Sequence, residues 1–302
     1  MIDTTIDIAG VKLKNPVMPA SGTFGFGKEY SEFFDLNKLG AIVTKGVANV
    51  AWAGNLTPRI TETTSGMLNA VGLQNPGIDV FCKRDLAFLE KFETPVIVNV
   101  CGKTISDYCE VVSRLGEQKR VALLEINISC PNVKAGGIAF GQDPHFVEKI
   151  TKEIKKVAKQ PIIMKLSPNV TDITEMAKAA QAGGADALSL INTLTGMQID
   201  IERQKFVLAN KTGGLSGQAL KPVALRMVYQ VANSVDLPII GMGGINTASD
   251  AIEFLMAGAS AIAIGTANFS DPYVSLKVID GIKNYLKQHN YQKLTDIIGI
   301  VK

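Results

Sequence analysis

The sequence has few of the side chains on which common catalytic and metal sites depend. It contains two histidines, His145 and His289, among 302 residues, which argues against a histidine-based catalytic triad or a histidine-rich metal site. Its cysteines form no C-x-x-C pair, so no zinc or iron–sulfur ligand set is recognisable. We therefore predict that the protein lies in a reducing compartment and that its four cysteines are free thiols: Cys82, Cys101, Cys109 and Cys130.

The sequence also lacks long hydrophobic runs and a strong charge of one sign. No apolar run approaches the roughly 18 residues of a transmembrane helix, and residues 1–10 have neither the basic nor the apolar region of a secretion signal. The 31 basic and 28 acidic side chains leave a net charge of +3, too weak to indicate a nucleic-acid or membrane partner. With 46% hydrophobic residues the chain can bury a large core, and we expect a cytoplasmic protein.

Short apolar runs rich in valine and isoleucine alternate with segments of helical periodicity. This alternation is typical of βα units around a parallel sheet. Eight such units predict an α/β fold, a (β/α)8 TIM barrel formed as a single domain by residues 1–302. The predicted strands are residues 17–21, 41–45, 95–100, 121–128, 161–166, 186–191, 237–242 and 261–265.

Further elements surround the predicted barrel. Residues 6–13 alternate in hydrophobicity about Ala9–Gly10, which predicts an N-terminal hairpin. Two segments place apolar side chains on one helix face, namely Tyr108, Val111, Val112 and Leu115 in one and Ile173, Met176, Ala177 and Ala180 in the other. The connections 46–80 and 193–219 exceed the usual length of a βα loop, which predicts extended active-site loops.

The active site of such a barrel lies at the carboxyl ends of the strands. A single asparagine after a strand is also explained by turn chemistry, but polar residues or glycines recur at all eight ends, which favours a binding site. These residues are Ser21 and Gly22, Lys45 and Gly46, Asn99, Asn127, Lys165, Asn192 and Thr193, Gly243 and Gly244, and Gly265 and Thr266.

The loops after the last two strands indicate a phosphorylated ligand. Barrels often bind phosphate with these loops, and glycines such as Gly243 and Gly244 let backbone N–H groups approach phosphate oxygens. The spacing does not match G-x-G-x-x-G, so a Rossmann nicotinamide site is not predicted.

Two lysines and one cysteine stand where they could take part in chemistry. Lys45 and Lys165 end strands, and a cation beside a flavin ring would stabilise its reduced anion; a lysine at the barrel rim that extends into solvent is the alternative for each. Cys130 lies just past the fourth strand, where a thiol can act as a base.

The loop that contains Cys130 is followed by a predicted helix. Asp143 is predicted to cap this helix, which begins near Pro144, and His145 is predicted to lie on the surface.

With these residues in view, the sequence resembles the dihydroorotate dehydrogenases of pyrimidine synthesis, in particular the catalytic subunits of the NAD-linked class 1B enzymes. The resemblance runs through almost the whole chain. It is carried by NPVMPASGTFGFG, TPRITETTSGMLNAVGLQNPG, INISCPNVKAGGIAFG, MKLSPNVTDI, INTLTGMQID, GGLSGQALKPVAL, IIGMGGI and AIGTANF.

The resemblance implies an FMN-binding TIM barrel with dihydroorotate stacked on the flavin ring and no metal. The implied FMN contacts are Ser21, Lys45, Gly46, Asn99, Asn127, Lys165, Ile191, Gly217, Gly243, Gly244, Gly265 and Thr266. The implied substrate contacts are Lys45, Asn69, Ala70, Val71, Gly72, Leu73, Asn127, Asn192 and Thr193. A planar substrate with a carboxylate, carbonyls and N–H groups suits one cation and several amides.

The resemblance further implies a mechanism and a partner. Cys130 removes a proton beside a ring carbonyl while hydride passes to FMN, and the electrons reach NAD+ through a subunit carrying FAD and a [2Fe-2S] cluster, in a heterotetramer of two catalytic and two electron-transfer subunits. Two alternatives stay open at this point: a fumarate-dependent class 1A-type dihydroorotate dehydrogenase, and a noncatalytic barrel that binds a phosphorylated ligand.

The role of Cys130 generates a first prediction. Serine is a far weaker base than cysteine, so Cys130→Ser should slow reduction of the flavin by dihydroorotate roughly 10²-fold or more, the scale of general base catalysis. Stopped-flow measurement of flavin absorbance across pH checks this, and unchanged kinetics at every pH would contradict the assignment.

Overall fold

The chain begins with the predicted hairpin, in which β1 (Ile6–Ile8) and β2 (Val11–Leu13) pair antiparallel. The computed structural model describes residues 2–129 and 140–301. At the turn, Ala9 and Gly10 have φ of 52° and 85°, as a two-residue hairpin of this hand requires. Alternate side chains of both strands are buried in the main hydrophobic core, so the hairpin packs onto the rest of the fold.

Eight parallel strands form the central sheet, and each falls within one of the apolar runs. Numbered along the chain, they are β3 (Val17–Pro19), β4 (Ile42–Val43), β7 (Val96–Val100), β8 (Val121–Asn127), β9 (Ile162–Lys165), β10 (Ala187–Leu190), β15 (Ile239–Met242) and β16 (Ala261–Ile264). Their order is β3-β16-β15-β10-β9-β8-β7-β4. Just before β4, the Gly40 N–H donates to the carbonyl of Val17 in β3 at 2.9 Å. The sheet thus nearly closes on itself, which confirms the predicted (β/α)8 barrel.

Helices cover the outside of the barrel with their apolar faces. Both predicted faces are buried, the first in α3 (Ile105–Leu115) and the second in α5 (Ile173–Ala182), because helical side chains three and four residues apart share a side. Within the described ranges, no helix combines the length and hydrophobicity needed to cross a membrane. The helices are α1 (Ile78–Val80) and α2 (Ala87–Leu89), joined by a π-helical segment Phe81–Leu86, then α3 (Ile105–Leu115), α4 (Pro144–Val157), α5 (Ile173–Ala182), α6 (Lys221–Ala232), α7 (Ala248–Met256), α8 (Ala267–Ser270) and α9 (Val274–Gln288).

The two long connections pair with each other in a second sheet. The first contributes β5 (Ile60–Thr63) and β6 (Gly66–Asn69), the second β11 (Leu194–Met197) and β14 (Thr212–Ser216), in the antiparallel order β11-β14-β6-β5. A separate hairpin joins β12 (Ile199–Asp200) to β13 (Lys205–Phe206). In the β6–β14 pair Asn69 stands opposite Gly214. The loops therefore have a fixed structure that holds residues of both connections beside the barrel mouth.

A buried carboxylate joins the starts of α6 and α7. Asp250 accepts hydrogen bonds from the N–H groups of Asn246 and Thr247, at 3.0 and 2.8 Å, and completes a capping box with Thr247. Lys221, the first residue of α6, places its Nζ 2.7 Å from Asp250 Oδ1. Burial by itself raises the pKa of Asp250, but the hydrogen bonds from Lys221, Asn246 and Thr247 bring it below its ordinary value of 3.8.

Asp250→Asn should therefore destabilise the fold. The substitution removes a buried acceptor and a charge-assisted bond, so we expect a loss of about 1–3 kcal/mol in the free energy of unfolding at neutral pH, measured by urea denaturation. Because the pKa of Asp250 is lowered on folding, this contribution is present above about pH 4 and is lost as the pH falls through the folded-state pKa.

Asp107 provides the matched control. It occupies the same position in the capping box of α3, where it accepts from the N–H groups of Lys103 and Thr104. These bonds are exposed to solvent, so Asp107→Asn should cost about 1 kcal/mol or less. An equal or larger loss for Asp107→Asn would contradict the importance assigned to the partly buried Lys221–Asp250 pair.

Candidate active site

A large cavity of about 1570 Å³ opens at the carboxyl ends of the barrel strands. All of the sequence-predicted contact residues except Cys130, which lies outside the described residues, line this cavity. They are Ser21, Lys45, Gly46, Asn69, Ala70, Val71, Gly72, Leu73, Asn99, Asn127, Lys165, Ile191, Asn192, Thr193, Gly217, Gly243, Gly244, Gly265 and Thr266. The structure thus brings together residues that are up to 245 positions apart, from Ser21 to Thr266.

One side of the cavity is formed by the glycine-rich loops after β15 and β16. Gly244 has a φ of 78°, and a Cβ atom there would lie 2.7 Å from the backbone nitrogen of Lys221. Both the backbone conformation and the close approach of α6 therefore require glycine. Beside these loops the Thr266 hydroxyl donates to Ser216 Oγ at 2.9 Å. Backbone and hydroxyl groups gathered in this way suit the oxygens of a phosphate group.

Amide side chains form a polar cluster in another part of the cavity lining. Asn192 Nδ2 donates to Asn127 Oδ1 at 3.2 Å and to Ser129 Oγ at 2.7 Å. On the loop sheet, Asn69 Nδ2 donates to the Gly214 carbonyl at 3.3 Å. Since an amide carries both donors and an acceptor, this cluster can recognise a planar ring bearing carbonyl and N–H groups.

Lys45 projects into the cavity as a partly buried cation. Burial lowers its pKa below the ordinary value of 10.5; nearby Cys101 acts in the opposite direction, while Arg59 and Lys165 lower it further. Among the described residues, no carboxylate forms an ion pair with Lys45. A buried charge without a counter-charge is unfavourable, so Lys45 is suited to an anionic ligand group.

Lys165 is also buried but has a protein counter-charge. Its Nζ donates to Ser21 Oγ at 3.1 Å and lies 3.4 Å from Glu125 Oε1. The structure therefore places Lys165 inside the barrel, not at its rim extending into solvent. Sequence reasoning did not identify Glu125, although a carboxylate within the apolar strand VALLEIN was the signal that could have revealed it.

Several other lining residues were also missed. Trp52, the one tryptophan of the chain, and Lys103 both line the cavity, with the Lys103 Nζ 5.0 Å from the centre of the indole ring. Ser129 and Ser216 line it as well. Trp52 lies in the first long connection, which its length alone marks as functional. That Trp52 is the one tryptophan of the chain is the signal that could have identified it.

Cys130 lies outside the described residues, between Ser129 and the start of α4. Ser129, the residue before it, lines the cavity, and so does Asn127 at the end of β8. On the other side of the segment, Asp143 accepts a hydrogen bond from the His145 N–H at 2.8 Å and caps α4 as predicted, with His145 exposed. The role of Cys130 itself stays a prediction.

The chain matches known proteins over nearly the whole length of both sequences. The family model for dihydroorotate dehydrogenase matches residues 3–286. A protein of Lachnoclostridium phytofermentans is 66% identical over 301 residues, covering 100% of both chains, and one of Alkaliphilus metalliredigens is 63% identical, covering 99% of this chain and 98% of the relative. Both are named dihydroorotate dehydrogenase B (NAD(+)), catalytic subunit. The chain therefore belongs to the dihydroorotate dehydrogenase family.

Proposed function

We propose that this chain is the catalytic subunit of an NAD+-linked dihydroorotate dehydrogenase, which oxidises (S)-dihydroorotate to orotate in the de novo biosynthesis of pyrimidines (UMP). The observation that carries the proposal is the single cavity that unites all of the described residues predicted to contact FMN or substrate. Family membership supports the reaction, and the names of the full-length relatives support both the NAD+ link and the existence of a partner subunit.

The described residues fit FMN as the resident cofactor. The loops at Gly243–Gly244 and Gly265–Thr266 offer a place for the phosphate, because glycine leaves the backbone open to close approach. Asn99 and Lys165, which are 1% and 5% exposed, present polar groups from the barrel interior to the cavity. When bound, FMN would accept the hydride that dihydroorotate loses.

The cavity also contains the groups that the substrate requires. Lys45 would bind the carboxylate, since it has no anionic partner among the described residues. Asn127 and Asn192 would bind the carbonyl and N–H groups of the ring, and the segment from Asn69 to Leu73 would hold it from the side of the loop sheet. Thr193 follows Asn192, whose Oδ1 accepts from the Thr193 N–H at 2.8 Å, so the two residues have a fixed mutual orientation.

We assign proton removal to Cys130. Its thiolate would take the proton from the substrate carbon next to a ring carbonyl, while the neighbouring carbon gives up hydride. Hydride loss and proton loss together remove two electrons and two protons, which converts dihydroorotate to orotate. The support for this role is the position of Cys130 in the sequence, directly after Ser129 on the cavity wall.

The partner subunit would receive the electrons and pass them to NAD+. We propose that it carries FAD and a [2Fe-2S] cluster and that two catalytic and two electron-transfer subunits form a cytoplasmic heterotetramer. The words "catalytic subunit" in the relatives' names support a partner. Within the described ranges, no group of three or more histidine, cysteine or acidic side chains is arranged to hold a metal ion.

Anaerobic addition of dihydroorotate to the purified, FMN-loaded chain tests the proposal. The flavin absorbance near 450 nm should bleach with formation of one orotate per FMN. NAD+ should then reoxidise the flavin only after the electron-transfer subunit is added. Full turnover with fumarate by the isolated chain would support a class 1A-type enzyme instead, and a flavin that dihydroorotate does not reduce would contradict a dehydrogenase function.

Lys45→Met should weaken binding of orotate to the FMN-loaded protein. Losing a charge-assisted bond of about 1.5–3 kcal/mol raises the dissociation constant roughly 10- to 150-fold, measurable by spectral titration. Because burial lowers the pKa of Lys45, the tighter binding by the wild-type protein should decline as the pH rises, and this decline should begin below the ordinary lysine pKa of 10.5.

Lys103→Met is the matched control, because Lys103 lines the same cavity but is exposed to solvent. Screening by solvent makes its charge less important, so we expect a change of less than about threefold. Equal effects of the two substitutions would contradict the assignment of the substrate carboxylate to Lys45. The same conclusion would follow if the orotate affinities of the wild-type and Lys45→Met proteins varied identically with pH.

A further inference from the structure

A carboxylate lies inside the barrel directly behind the cavity wall. Glu125 belongs to β8 and is 2% exposed. Its Oε1 accepts from Asn99 Nδ2 at 2.6 Å and from Lys165 Nζ at 3.4 Å, and its Oε2 accepts from Ser189 Oγ at 2.9 Å. All three partners donate, so the network is built around an anionic acceptor.

Strand register places these groups together. Asn99 in β7 stands beside Glu125 in β8, and Ser189 in β10 stands beside Lys165 in β9. Four consecutive barrel strands therefore each contribute one side chain. Asn99 and Lys165 line the cavity, whereas Glu125 and Ser189 do not. Glu125 must act through the two residues that reach the ligand.

Stability alone does not account for this carboxylate. The interior of such barrels is usually filled by branched apolar side chains, and a buried ion pair often stabilises no more than apolar residues of the same volume. Breaking the pair would nevertheless be costly, because a buried Lys165 without Glu125 would be uncompensated. The arrangement instead fixes both the position and the effective charge of Lys165.

The two cavity lysines consequently differ in the charge that they present. Lys45 has no ion-pair partner among the described residues, whereas Lys165 forms an ion pair with Glu125. A cation near a flavin favours the reduced, anionic form and raises the reduction potential. A carboxylate held against that cation reduces this effect, and the low polarity of the interior strengthens both interactions.

We propose that Glu125 is a positioning residue that offsets the positive charge of Lys165 and so sets the reduction potential of the bound FMN. The inference rests on the proposed function, since it presumes FMN in this cavity. It goes beyond that function by assigning a redox role to a side chain that touches neither cofactor nor substrate. A lower potential lets the reduced flavin pass its electrons on to the acceptor more readily.

Glu125→Gln tests the charge while keeping the shape. The glutamine oxygen can accept from Asn99 and Lys165, and its amide can donate to Ser189 Oγ. We expect the midpoint potential of bound FMN, measured without substrate by anaerobic titration against a redox dye, to become more positive. We expect the equilibrium constant for reduction of FMN to rise at least tenfold, which corresponds to about 30 mV for a two-electron couple.

Three further variants separate charge from structural damage. Glu62→Gln makes the same change at an exposed glutamate that lines the cavity and should leave the potential nearly unchanged. Lys165→Met should lower the potential, and the double variant Glu125→Gln/Lys165→Met should return towards the wild-type value, because both charges are then gone. Structural damage would instead accumulate in the double variant.

The outcomes distinguish this inference from the proposed function. If wild-type protein binds FMN and dihydroorotate reduces it, but Glu125→Gln has an unchanged or lower potential, the inference is wrong and the proposed function stands. If wild-type FMN is not reduced by dihydroorotate, the proposed function fails. Should Glu125→Gln not fold, Glu125→Asp, whose shorter side chain weakens the contact with Lys165, must still raise the potential; no rise would overturn the inference.

Discussion

The parallel direction of the eight barrel strands is the constraint on which the site depends. Because every strand runs the same way, all of the carboxyl ends lie at one face, and hydrogen-bonded register fixes which side chains are neighbours there. The pairs Asn99 with Glu125 and Asn127 with Lys165 are direct consequences of this register. The chemistry of the cavity is thus determined by backbone geometry, and no flexible loop is needed to bring these four side chains together.

A second constraint comes from the two long connections. Antiparallel pairing between β6 and β14 joins segments about 145 residues apart in the chain, as in the Asn69–Gly214 contact. This sheet turns two loops into one ordered wall of the cavity. The barrel supplies the buried lysines and amides, while the loop sheet supplies the residues that face them, so the cavity needs both to be complete.

Much of this arrangement could be predicted from the sequence because the signals are local. Apolar runs locate the eight strands, helical periodicity locates α3 and α5, and the strand-end residues locate the cavity. Pairing between β6 and β14 could not be predicted, since register across distant segments leaves no local pattern. The network around Glu125 could not be predicted because its partners come from three other strands. The position of Cys130 after the fourth strand makes it a candidate base, and the proton that it would remove is implied only by the family resemblance.

We propose different tasks for the two cavity lysines: Lys45 binds the substrate carboxylate, and Lys165, whose charge Glu125 offsets, faces the flavin. A crystal structure of the chain with FMN and orotate bound tests this division most directly. We predict Lys45 Nζ within hydrogen-bonding distance of the orotate carboxylate, about 3 Å, and Lys165 Nζ against the flavin ring while still paired with Glu125. A carboxylate bound by Lys165, or a Lys165 separated from Glu125, would contradict it.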